Sequence, residues 1–274
     1  ARTGATAVIG DLDRPETLTS LAGVAECVLH LAPPDAGDPD NQCDQRTRTL
    51  VDALSARTMV AHANGVIRRL ERIVYVSTSG VYGDCGGARV DEDRAVNPQS
   101  DRARRRVDAE RVLIDWGMRN EVRVSILRVP GIYAADRLPI ERLEQGAPAL
   151  RAEDDVFTNH IHADDLAAAC AAALTRGEGG RIYNVSDDSE LKMGDYFDLV
   201  ADRAGLPRPA RIARTVAAGR ISSMALSFMS ESRRLVNDRM KQELGVVLKF
   251  PTVREGVPKR IDRAAANAGK RSAP

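Results

Sequence analysis

The sequence predicts an α/β protein: a doubly wound parallel sheet, with a smaller and mostly helical C-terminal lobe after it. Three observations lead there. Apolar runs of strand length alternate with amphipathic stretches of helix length through residues 5–129. Residues that start helices, such as Asp13, Pro15 and Glu16 or Ser100, fall between those runs. The chain has 274 residues, enough for one large domain with an appendage. Parallel strands need crossovers of about a dozen residues or more, and helices are the usual solution.

Taken in order, residues 5–12 (ATAVIGDL) read as a short buried strand. Asp13 offers an N-cap, Pro15 a first-turn proline and Glu16 a capping acid, so a helix is expected up to Gly23. Residues 27–32 (CVLHLA) form the next strand, Pro33 and Pro34 a loop, and residues 44–64 a long helix stopped by Gly65. Residues 72–79 (RIVYVSTS) are strand, and Gly83, Gly86 and Gly87 mark the loop beyond it. A helix over 100–119 leads into a strand over 123–129. From Pro130 the rhythm changes to a short helix at 138–145, a strand at 156–162, a helix capped by Asp164 and a strand at 181–186. Helices over 191–204, 215–235, 237–244 and 253–266, interrupted by Pro207, Pro209 and Pro251, make up the lobe. Residues 267–274 lack a large apolar side chain and should fray.

Composition excludes several function classes. Forty Lys+Arg against 39 Asp+Glu leave a net charge of +1, so no positive field favours a nucleic acid. Hydrophobic residues at 43% and charged residues at 29% fit an ordinary globular chain, and an aromatic content of 4% calls for an aliphatic core. Cys27, Cys43, Cys85 and Cys170 stand far apart, two of them in apolar runs, which reads as reduced thiols and a cytoplasmic location. The longest apolar stretch, residues 166–174, is far short of the roughly 20 residues that cross a bilayer, so no membrane partner is expected.

Five strings then carry a resemblance: Gly10-Asp11-Leu12, His30-Leu31-Ala32-Pro33, Ser77-Thr78-Ser79-Gly80-Val81-Tyr82-Gly83, Leu127-Arg128-Val129-Pro130-Gly131-Ile132-Tyr133, and His160-Ile161-His162-Ala163-Asp164-Asp165-Leu166-Ala167. In this order and at these spacings the chain resembles the extended short-chain dehydrogenase/reductase superfamily, in its NAD-dependent epimerase/dehydratase branch. The resemblance spans about residues 5–250. It implies a Rossmann-like domain over 1–135 plus 155–190 and a substrate lobe over 136–154 plus 191–266. It also implies NAD or NADP as cofactor and a small anionic or nucleotide-sugar-like substrate, and it leaves a homodimer open. Cofactor contacts would come from Asp11, Leu12, Leu31, Ala32, Pro33, Ser77, Val129 and Pro130, and substrate contacts from Tyr133, His160 and Arg233.

Two departures from the family pattern stand out. The family's Gly-x-x-Gly-x-x-Gly turn, which brings a helix N-terminus to the pyrophosphate, has no counterpart here; Gly177-x-Gly179-Gly180 precedes a strand and reads as a surface turn. By that pattern the chain starts at the third strand, and an N-terminal truncation is the expectation. The second departure is chemical. Where the family has Tyr-x-x-x-Lys, the flanking residues align Arg102 and Arg106. A guanidinium stays protonated at any workable pH, so it can lend charge and hydrogen bonds but cannot cycle a proton.

The catalytic candidates are therefore Thr78, which could bond a substrate oxygen, Arg102, Arg106, and Tyr82 as a relocated phenol. Tyr82 has the alternative of a phenol packed in its loop. Arg102 and Arg106, one helical turn apart, read either as a clamp for a phosphate or carboxylate or as part of a solvated run offset by Asp101, Asp108 and Glu110. His160 and His162 share a strand face, yet their spacing is not specific for a metal, and none is expected. His30 reads as a core histidine. Arg233, within Ser230-Glu231-Ser232-Arg233-Arg234, reads either as a reader of substrate anions or as a helix-surface ion pair. The function expected is an NAD(P)-dependent oxidoreductase of epimerase/dehydratase type; the alternatives are a non-catalytic NAD(P)-binding sensor or scaffold, and a fragment without independent function.

Overall fold

The computed structural model describes residues 4–35, 42–55 and 69–261. Along the chain run β1 (Cys27–His30), α1 (Gln45–Ser55), β2 (Arg72–Thr78), β3 (Arg89–Val90), α2 (Asp101–Asn120), β4 (Arg123–Val129) and β5 (Gly131–Tyr133). They are followed by α3 (Ile140–Glu144), β6 (Ala149–Leu150), β7 (Phe157–Thr158), β8 (His160–His162), α4 (Ala163–Arg176) and β9 (Arg181–Asn184). The remainder comprises β10 (Leu191–Lys192), α5 (Met193–Ala204), β11 (Arg211–Ile212), α6 (Ser223–Phe228), β12 (Arg234–Leu235), α7 (Asp238–Glu243) and α8 (Val253–Gly256).

The principal sheet has the order β1-β2-β4-β9 with every pairing parallel. Its register sets His30 beside Tyr75, Thr78 beside Val129 and Arg128 beside Asn184. Successive side chains of a strand point to opposite faces. Ile73 and Tyr75 of β2 therefore join Leu113 and Trp116 of α2 and Val51 of α1 on one face. Val74, with Leu127 of β4, meets Cys170 of α4 and Met240 of α7 on the other. Helices thus cover both faces, as a doubly wound sheet requires. A separate cluster that includes Tyr133, Leu138, Ile140, Phe197, Val200 and Val253 joins β5, α3, α5 and α8.

Helix α2 shows why the site elements sit where they do. Ser100 Oγ accepts from the Ala103 N–H at 3.3 Å, capping the first turn. The helix ends at Glu121, which adopts φ 56° and returns its N–H to Gly117. Ala103, Ala109, Leu113 and Trp116 lie along its buried face.

Several expectations need correction. Residues 5–12 form no strand: an isolated bridge joins Asp11 to Arg14, and Val8 and Ile9 are 62% and 95% exposed. Among the described residues, β1 pairs with β2 alone, so this apolar run has neither a ladder nor a face to cover it. The helix expected up to Gly23 shrinks to a 3-10 turn over Pro15–Leu18, because the Asp13 carboxylate bonds Arg46 Nε at 2.7 Å instead of capping. The helix expected over 215–235 is broken by Gly219 at φ 80°, and its C-terminal part becomes β12, paired with β3. The strand over 156–162 divides at Asn159, whose side chain bonds Arg233 O and the Leu235 N–H. Helix α4 is capped by His162 Nδ1 rather than by Asp164, while Asp165 accepts the Lys249 and Phe250 N–H groups. Helix α8 stops at Gly256, since Val257 turns extended before Pro258. The rest of the helix expected over 44–64, the end of that over 253–266 and the tail 267–274 lie outside the described residues. Of the cysteines in apolar runs, Cys170 is buried and Cys27 exposed, and no disulfide joins any of the four. Among the described residues no helix is long and apolar enough to cross a membrane.

Candidate functional site

Where β2 and β4 end, the chain turns away from the sheet and a cleft of about 1260 Å³ opens. In a parallel sheet the carboxyl ends of the strands all lie on one side, so residues distant in sequence converge there. Thr78, Arg102, Arg106, Pro130, Tyr133, His160 and Arg233, contributed by five separate segments, all line this cleft.

Each side chain has a definite setting. Thr78 Oγ1 accepts the Gly80 N–H at 3.2 Å, which leaves its hydroxyl hydrogen free for a ligand. Arg106 is held in place: its Nη1 donates to Tyr75 Oη at 2.8 Å and to the Val76 carbonyl at 2.9 Å. Arg102 is different. Its guanidinium lies 4.6 Å from the centre of the Phe228 ring, and its neighbour Asp101 is bonded to Arg104 instead. Burial pushes the pKa of Arg102 down, partly offset by the charge of Glu231, and Arg106 adds to the lowering. The proposed clamp thus has one pinned and one uncommitted guanidinium.

Arg233 is not on a helix surface. It is buried, donates to Gly83 O at 2.7 Å and pairs with Glu231 at 2.8 Å, and its Nε has no partner. Arg142, which the sequence did not flag, lies over the Phe197 ring at 4.9 Å, with Nε also unpartnered and its pKa lowered by burial. With Arg137, five arginines line the cleft against two acids, Asp136 and Glu231. Such a surplus of positive charge favours anions. Phe228 and Glu231 were missed because their segment was expected to be helical; its Gly219 was the available signal.

Groups able to move a proton are scarce in the cleft. Burial holds His160 neutral, lowering its pKa to about 4, and its Nδ1 has no partner. Tyr133 and Tyr196 have their phenol pKa values raised, chiefly by burial, and no lysine lines the cleft. Beside it, Asp187 donates its backbone N–H to His160 O at 2.7 Å, and burial raises its carboxyl to about 7. His160 and His162 lie against the rings of Tyr196 and Phe250.

Other candidates fall outside the cleft lining. Tyr82 is 1% exposed; its hydroxyl donates to Asn184 Oδ1 at 2.9 Å and Arg128 covers its ring, so it is a packed structural phenol and not a relocated acid or base. Ser77 is buried and donates to Glu110 at 2.5 Å, and Val129 is buried within β4. Asp11 and Leu12 lie in the segment outside the sheet. Leu31 and Pro33 are exposed just beyond β1, with Ala32 half-buried between them. His30 is the core histidine expected, with Nε2 3.1 Å from Thr47 Oγ1 and its ring stacked on Tyr75. Gly180, at φ 75°, makes the turn before β9.

Comparison with known proteins agrees with the parallel α/β fold. The family model described as "NAD dependent epimerase/dehydratase family" matches residues 1–186. A GDP-6-deoxy-D-mannose reductase of Pseudomonas aeruginosa is 28% identical over 218 residues, covering 71% of this chain and 68% of the relative. The chain spans about two thirds of the length of the curated relatives it matches. Among solved structures, a functionally unknown conserved protein from Silicibacter pomeroyi DSS is 30% identical with TM-score 0.67, covering 90% of this chain and 78% of that one. RMD from Pseudomonas aeruginosa, complexed with NADPH, aligns at TM-score 0.71 and 20% identity over 95% of this chain and 88% of its own. MoeE5, in complex with UDP-glucose and NAD, aligns at TM-score 0.69 and 21% identity over 95% and 85%. At those identities the last two speak for the fold.

Proposed function

The chain belongs to the NAD-dependent epimerase/dehydratase family, and from that premise we propose that it is an NAD(P)-linked oxidoreductase of epimerase/dehydratase type acting on an anionic, nucleotide-sugar-like substrate. One observation carries this reading: residues from five segments converge on a single cleft at the strand ends, where arginines outnumber acids by five to two.

The residues present fit one end of a dinucleotide. Thr78, Pro130 and the pinned Arg106 line the cleft together and would border a nicotinamide ring bound there. Among the described residues no glycine-rich turn leads from a strand directly into a helix, so no cradle for the pyrophosphate is formed by them. When bound, the cofactor supplies hydride chemistry. This chain's own residues would do the rest: Thr78 donates to a substrate oxygen, and Arg102 and Arg106 stabilise negative charge on an oxyanion or phosphate without moving a proton.

A second reading, a non-catalytic sensor or scaffold, is favoured by Arg102 and Arg106 standing where the family pattern has Tyr and Lys. General acid–base catalysis contributes about two to four powers of ten in rate. Stopped-flow absorbance of NAD(P)H with a panel of nucleotide sugars separates the two. Turnover that Thr78→Ala slows supports the enzyme, tight NAD(P)H binding without turnover supports the sensor, and the absence of any NAD(P)H binding refutes both.

A further inference from the structure

Arg102 is a cation without an acceptor of its own. Among the described residues its recorded contact is the Phe228 ring, and both nearby acids have other partners: Asp101 is bonded to Arg104, and Glu231 to Arg233. Arg102 is exposed at the cleft, and among the described residues no carboxylate is bonded to its guanidinium, which leaves its donors open to an incoming anion. Phe228 covers its face, so the edge that carries the in-plane N–H groups is what remains for a ligand, and that edge matches a planar carboxylate. One turn along α2, Arg106 is tied to Tyr75 and Val76, which sets this helix edge beside the end of β2 that bears Thr78. The buried, unpartnered Nε of Arg233 belongs to a second donor group on the cleft lining.

We propose that Arg102 receives a carboxylate on the sugar end of the substrate while Arg233 takes its phosphates, so that the cleft selects nucleotide-linked acidic sugars over neutral ones. This rests on the nucleotide-sugar reading above and deepens it. Glu231 sharpens the selection: its charge reaches Arg102 but is bonded to Arg233, so it orders the two guanidinium groups without occupying the outer one.

The test is calorimetric titration of the 274-residue chain with UDP-glucose and UDP-glucuronic acid, which differ at the sugar's C6. The acidic sugar should bind about tenfold more tightly, the scale of one charge-assisted hydrogen-bonded pair. Arg102→Gln should bring that ratio close to one, and Arg104→Ala, whose guanidinium is tied to Asp101 outside the cleft lining, should retain it. Equal affinities in the unmodified chain overturn the inference and leave the nucleotide-sugar reading standing. A ratio that survives Arg102→Gln overturns it too, as does equal weakening of both sugars, which would assign Arg102 to the phosphates. Failure of both sugars to bind refutes the underlying reading and this inference with it.

Discussion

Removing the Glu110 carboxylate should be among the most damaging single changes to this fold. Glu110 of α2 and Arg128 of β4 form an ion pair at 2.8 Å with side chains only 6% and 5% exposed. The same carboxylate accepts Ser77 Oγ at 2.5 Å, and Arg128 lies 4.8 Å from the centre of the Tyr82 ring. In Glu110→Ala the guanidinium stays buried, with Nη1 already unpartnered and its counter-charge gone. Breaking such a pair from one side costs about 3–5 kcal/mol, and the lost Ser77 bond adds about 1 kcal/mol. That is a large part of a typical stability of about 5–15 kcal/mol. Urea unfolding followed by circular dichroism checks it: with a slope of about 3 kcal/mol/M, the midpoint should fall by about 1 M or more. The double variant Glu110→Leu/Arg128→Met should recover most of the loss, because no charge is left stranded. A midpoint shift below about 0.3 M in Glu110→Ala would refute the reasoning.

Three further outcomes are expected. His30 and His160 are buried and titrate at about 4, against 6.5 when unfolded, so the unfolded chain takes up their protons first and the stability they contribute, whole above 6.5, is lost as pH falls toward 4. Asp187, raised from 3.8 to about 7, works in the opposite sense, its contribution being lost as pH rises through that window. Tm measured from pH 7.5 down to 4.5, a range of about three units, should fall less steeply in His30→Gln and more steeply in Asp187→Asn. Gly83→Ala should destabilise by about 1–3 kcal/mol, because Gly83 sits at φ 65° and a Cβ there would overlap the Asn97 carbonyl; an unchanged urea midpoint would contradict this. Tyr82→Phe should lower stability by about 1 kcal/mol through loss of the Asn184 bond, with nucleotide-sugar affinity unchanged in titration.

Much of the fold was legible because its signals are local. The strand-length apolar runs at 27–32, 72–79 and 123–129 all became strands of one parallel sheet. Ser100 announced the start of α2, and the strings ending β2 and β4 marked where the cleft would open. Where the signal was composition alone it misled: residues 5–12 are as apolar as a strand, yet a strand exists only if a neighbour accepts its hydrogen bonds. Gly219 and Gly256 mark where long helical patterns were overridden by backbone turns.

The sequence by itself determined the alternation of strand and helix from β1 to β4 and that Thr78, Arg102 and Arg106 would share one crevice, since the carboxyl ends of parallel strands lie on one side. Only the tertiary structure decided what each group is free to do. Tyr82 and Tyr133 are both spare phenols in the sequence, but each is taken up by a distant segment, one bonded to Asn184 and the other to the Thr252 carbonyl at 3.4 Å. Arg102 and Arg106 are equivalent in spacing, but β2 offers Arg106 a phenol and a carbonyl while Arg102 meets the ring of Phe228, 126 positions further along the chain. Periodicity records which face a side chain takes; the availability of a partner depends on contacts between distant segments, and those exist only once the chain has packed.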